Sequence, residues 1–139
     1  MKVNVAWIGG VAFVGETMGG HRVLMDGPPE NGGRNLGPRP METLLLAMGA
    51  CSCVDVVLIL QKARQDIRDC KIEMSASRAE SDPKVFTEIH LNFNLVGNDL
   101  KDSQVERAIK LSAEKYCSAS IMLGKTAKIT HSHSVSAPV

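Results

Sequence analysis

Polar and apolar residues alternate at the start of the chain through Val3, Val5 and Trp7, and again through Val11 and Phe13 after Gly9-Gly10. A period of two is the signature of strands, and Arg22 to Asp26, entered from a Gly19-Gly20 turn, completes a three-stranded meander. Residues 27–40 have no apolar period and are dense in Gly and Pro, which predicts a mobile loop. From Pro40, a residue suited to the first helical turn, no breaker appears before Asp69, so the pattern predicts one helix of about six turns. Between Leu44 and Leu60 that helix is apolar almost all the way round and should be wrapped on every side, by other elements or by a second subunit. Its polar end, Gln61 to Asp69, should return to water. Residues 70–80 then alternate through Ile72, Met74 and Ala76. Residues 84–96 alternate through Val85 or Phe86, Ile89, Leu91, Phe93 and Leu95, with Glu80 to Pro83 as the hairpin turn between them. Asp102 or Ser103 is placed to cap a second helix whose inward stripe is Val105, Ala108, Ile109, Ser112, Ala113, Tyr116 and Cys117. A short helical turn from Ala119 to Leu123 ends at Gly124. A last strand through Ala127, Ile129 and His131 precedes a polar tail beyond Ser132. The order β-β-β-α-β-β-α-β is an α+β pattern, a mostly antiparallel sheet packed against helices on one face.

Composition narrows the partners. At 139 residues the chain has the length of a single domain, 1–139, able to bury a core without disulfides or metals. Its 16 basic and 15 acidic residues nearly cancel, which favours small-molecule partners over nucleic acid or a membrane surface. The alternating N-terminus is unlike a secretion signal, and Asp55 interrupts the longest apolar run, an argument against a membrane span. A cytoplasmic location follows as the expectation, with thiols kept reduced.

The candidate chemistry lies in four cysteines. Cys51 and Cys53 point about 200° apart around a helix and cannot bond each other. Cys53 and Cys70 read as packing, since free cysteine is among the most buried residue types. Cys51 shares a helix face with Leu44, Ala47 or Met48, Asp55 and Leu58, while Cys117 points inward from the second helix, so the two can meet. The pattern leaves a core role and a redox role for this pair equally open. A reactive thiolate in apolar surroundings needs a cation or donor from elsewhere, and Arg22, Arg34 and Arg39 precede the helix as candidates. Glu42, in the first helical turn, is stabilised by the helix dipole in any case. His131 and His133 face the same way on the last strand, but two ligands are too few for a metal. His21 reads as a turn residue. No Gly-x-Ser-x-Gly or phosphate-loop ending occurs.

The segment Gly37-Pro38-Arg39-Pro40-Met41-Glu42-Thr43-Leu44-Leu45-Leu46-Ala47-Met48-Gly49-Ala50-Cys51, then Asp55-Val56-Val57-Leu58-Ile59-Leu60-Gln61-Lys62, and Glu114-Lys115-Tyr116-Cys117, resemble the family of osmotically inducible protein C and the organic hydroperoxide resistance proteins, in its short predicted-redox-protein branch. The resemblance implies an intertwined homodimer with the long helices between sheets of both subunits. It implies Cys51 as the peroxidatic cysteine and Cys117 as the resolving one, with an arginine, Arg22 first, stabilising the thiolate and Glu42 orienting it. It also implies an organic hydroperoxide as substrate, a dithiol as reductant, and no metal or organic cofactor. Met41 stands where the hydroperoxide branch has its glutamate, so Glu42 is rotated by about 100° on the helix. The competing expectation is a non-catalytic dimer, binding a small or lipid-like molecule or sensing redox state, with structural thiols.

Overall fold

The computed structural model describes all 139 residues, which form two compact units, Met1–Leu46 and Ala47–Val139. In the first unit, β1 (Val3–Trp7), β2 (Ala12–Thr17) and β3 (Arg22–Asp26) build the expected antiparallel meander, with Val5 opposite Gly15 and Phe13 opposite Met25. Gly9 and Gly10 both take positive φ in the first turn, the conformation that glycine adopts without steric cost.

The segment expected to be a mobile loop is instead tied to one side chain. Asp26 is buried, and its carboxylate accepts the backbone N–H groups of Gly27, Arg34 and Leu36 at 2.9, 2.8 and 3.2 Å. Those bonds, Arg34's first, hold its pKa below the usual carboxylate value. Gly33 folds so tightly onto this turn that a Cβ there would lie 1.9 Å from the Gly27 carbonyl oxygen. Glycine counts alone conceal such a scaffold.

Helix α1 spans Pro40–Lys62 and is shorter than the sequence pattern suggests. Arg64 takes a left-handed φ of 57°, Gln65 N–H bonds to the Leu60 carbonyl and Arg64 N–H to that of Gln61. This is a Schellman ending with arginine where glycine is usual. Asp55 does not interrupt α1, which by length and composition alone would satisfy a membrane span. Within the second unit, however, Met48, Ser52, Val56 and Leu60 form a buried stripe at four-residue spacing, as in a core helix.

The second unit holds a separate three-stranded sheet, β4 (Asp66–Arg78), β5 (Phe86–Asn98) and β6 (Lys128–Ser136), in that order. There are therefore two small sheets where the pattern suggests one, and β6 lies parallel to β5. Ile89, Leu91, Phe93 and Leu95 of β5 are buried with Phe86, each alternate position as expected. Burial of each such side chain contributes about 1.5–3 kcal/mol.

Helix α2 (Asp102–Leu111) starts without a side-chain cap; Lys101 holds the cap position, and the Asp102 carboxylate bonds His133 Nε2 at 2.8 Å instead. A π turn, Ser112–Tyr116, links α2 to α3 (Ser118–Leu123). The extra residue in that turn breaks the helical spacing, so Tyr116 is exposed instead of inward while Cys117 remains buried. Strand β6 runs to Ser136, beyond the expected polar tail, and His131 is half-buried within it, not at an exposed strand end.

Candidate redox site

The site lies within the second unit. Ser52 is on the buried stripe of α1, and Cys51, one residue earlier, is at its flank. Cys117 is fully buried at the residue preceding α3. The sulfurs of Cys51 and Cys117 and a carboxylate oxygen of Asp55 lie within 4.8 Å of one another. The two thiols singled out by the sequence thus meet within one chain.

Hydroxyl groups surround Cys117. Ser52 Oγ donates to its sulfur at 3.3 Å, and the backbone N–H of Ser120 does so at 3.4 Å from the first turn of α3. Ser52 and Ser120 hydroxyls lie 3.4 Å apart, and Ser112 Oγ donates to Asp55 at 3.0 Å. Serines in apolar surroundings are costly unless they bond; here each one bonds. The pattern treated Ser112 as part of an inward stripe, but Ser52 and Ser120 went unnoticed, because a lone serine in an apolar run carries no periodic signal.

The two thiols are driven in opposite directions. Burial pushes the Cys117 thiol up, but hydrogen bonds from Ser120, Ser52 and Cys51 outweigh it, and its pKa falls below the ordinary cysteine value. Cys51 is pushed up, by burial first, then by donating its proton to Cys117 and by the nearby charges of Cys117 and Asp55; only the Ala119 backbone N–H opposes this. Of the two thiols, Cys117 is therefore the one whose negative form the surroundings favour.

The other predicted residues are placed differently. Arg22 Nε bonds Glu16 at 2.8 Å, and Glu42 accepts from the Arg39 backbone at 2.9 Å with the Arg39 guanidinium at 3.7 Å. Of the candidate arginines, Glu42 engages Arg39 and not Arg22. Cys51, Cys117 and Asp55 could also present three ligand atoms to a metal ion.

A further sulfur contact was not expected. Cys70 of β4 donates to Cys53 of α1 at 3.7 Å. The pattern puts Cys70 in the alternation of Ile72 and Met74 and Cys53 on α1, but carries no signal that the two elements bring these sulfurs together.

The family model for OsmC-like proteins matches residues 32–132. The chain belongs to the OsmC-like family. Protein YhfA of Escherichia coli K12 is 50% identical over 135 residues, 97% of this chain and 98% of that protein. A hypothetical protein from Aquifex aeolicus VF5 shares the fold with a TM-score of 0.86 at 33% identity, covering 99% of this chain and 97% of its own. The fold also resembles a Legionella pneumophila structure described as an organic hydroperoxide resistance protein OsmC, with a TM-score of 0.74 at 18% identity, covering 96% and 95%. Family membership agrees with the α+β architecture.

Proposed function

We propose that this OsmC-like protein is a thiol-dependent redox protein that reduces organic hydroperoxides with Cys51 and Cys117. The observation that carries the reading is the approach of those two sulfurs inside a network that stabilises a thiolate. Cys51 is the more accessible of the two, and the bonds around Cys117 lower its pKa. Once Cys117 has lost its proton to solvent, transfer of the Cys51 proton to it frees Cys51 to attack the peroxide. The O–O bond breaks, the alkoxide leaves and takes up a proton as alcohol, and Cys51 becomes a sulfenic acid. Cys117 then attacks the Cys51 sulfur, hydroxide leaves as water, and a disulfide forms. A dithiol returns two electrons and two protons by exchange.

The name of the Legionella structure supports the choice of substrate class. Exposed Leu46, Val54 and Leu58 along α1 support a homodimer in which a second copy covers that stripe. A steady-state assay with cumene hydroperoxide and a dithiol tests the proposal: Cys51→Ser should abolish turnover, and absence of turnover with any dithiol would defeat it.

The raised Cys51 pKa favours a second reading, redox sensing without turnover. Stopped-flow oxidation separates the two, since a sensor would react slowly with every hydroperoxide and a peroxidase rapidly with at least one.

A further inference from the structure

Helix α1 carries cysteines on both flanks of its buried stripe. Cys51 on one side meets Cys117, and Cys53 on the other meets Cys70 of β4 with sulfur atoms 3.7 Å apart. Nothing in the hydroperoxide chemistry above uses the second pair.

We propose that Cys53 and Cys70 form a second, independent dithiol site that exchanges with small-molecule disulfides and closes into a Cys53–Cys70 disulfide, with Cys53 as the attacking sulfur.

Three observations support it. The first is reach: the sulfurs already touch, and closure to a bond of about 2.05 Å requires each to move by less than an ångström. The second is room to move. β4 is an edge strand of its sheet, paired only with β5, and a register shift between Ile67 and Asp69 lies directly before Cys70. A bulged edge is where backbone can yield without disturbing a ladder on both sides. The third is polarity. The Cys70 thiol donates to Cys53 and Asp69 lies next to it in the chain, so Cys70 stays protonated while Cys53 is the sulfur whose negative form is stabilised. Both residues are half-buried, not sealed.

The exchange balances in two steps. Cys53 thiolate attacks one sulfur of the small disulfide; that S–S bond breaks, one thiolate leaves, and a mixed disulfide remains on Cys53. Cys70 then loses its proton and attacks the Cys53 sulfur, which expels the second small thiolate. The protein dithiol is oxidised by two electrons, and the small disulfide is reduced to two thiols.

The pair is also separated from the first site by helix geometry. Residues 51 and 53 diverge by about 200° around the α1 axis, so no sulfur of one pair faces a sulfur of the other. The two sites should therefore titrate and oxidise independently.

The test uses the full chain carrying Cys51→Ser and Cys117→Ser, so that the hydroperoxide pair cannot contribute. Oxidised glutathione is the probe, followed by non-reducing peptide mapping. The expected result is loss of both remaining free thiols, with the tryptic peptide that contains Cys53 linked to the one that contains Cys70. Adding Cys70→Ser should stop the reaction at a glutathione adduct on Cys53, whereas adding Cys53→Ser should leave Cys70 free. Both thiols still free after exposure to a large excess of oxidised glutathione would overturn the proposal, as would an adduct that accumulates on Cys70. Circular dichroism of the unreacted variants confirms that they remain folded, and full activity of a Cys53→Ser variant in the hydroperoxide assay would keep the two sites distinct.

Discussion

The two flanks of α1 present the same chemical group in different company. On the Cys51 side, serine hydroxyls and a backbone N–H converge on a fully buried sulfur, and a carboxylate stands beside its partner. On the Cys53 side the thiols have chiefly each other, at the edge of a sheet. Burial alone raises the pKa of a thiol, and the donors around Cys117 are what turn its shift downward. The lesson is that a cysteine's chemistry follows from the groups that bond its sulfur more than from its depth.

The comparison breaks most visibly by removal of the attacking sulfur. Cys51→Ser should lower hydroperoxide turnover by about a thousandfold or more, the scale seen when a nucleophile is deleted, while Cys53→Ser leaves it unchanged. Equal losses in both variants would merge the two sites. Met48→Ala, beside Cys117 on the buried stripe, should cost about 2–5 kcal/mol in urea unfolding. Ser52→Ala should cost about 1 kcal/mol and move the Cys117 titration upward, because one of the bonds that stabilise its thiolate is gone. A titration that stays in place would show that the hydroxyl network does not set the charge.

The smallest effect concerns pH. A raised thiol pKa in the folded state stabilises the protein below the unfolded cysteine value and loses that contribution as pH rises through the folded value. Cys51 is such a group, and Asp55 is one cause of its shift. Cys117, with its lowered pKa, works the other way, its contribution fading as pH falls. Asp55→Asn should therefore bring the Cys51 alkylation profile to lower pH and reduce the alkaline loss of stability that Cys51 causes. An unchanged profile would remove Asp55 from the account.

Much of this was readable from periodicity. The alternation of β5 named its buried residues, and the meander, the hairpin and the inward position of Cys117 all followed from spacing. What escaped was set by local bonding with no compositional mark. Arg64 ends α1 in a conformation usually signalled by glycine, so the helix stops at Lys62 and β4 begins at Asp66. A π turn displaced Tyr116 from a stripe that assumed an ideal helix. Asp26 organised a segment whose composition suggested disorder. Glu42 pairs with Arg39 and Arg22 with Glu16, partners that no spacing in the sequence singled out.

The most direct measurement is a non-reducing peptide map after one equivalent of cumene hydroperoxide. Cys51 and Cys53 share the tryptic peptide from Asn35 to Lys62, so fragment ions must assign the link. The account predicts that Cys51 joins Cys117 while Cys53 and Cys70 remain free thiols. A product in which Cys117 is unmodified and no bond reaches Cys51 would contradict it.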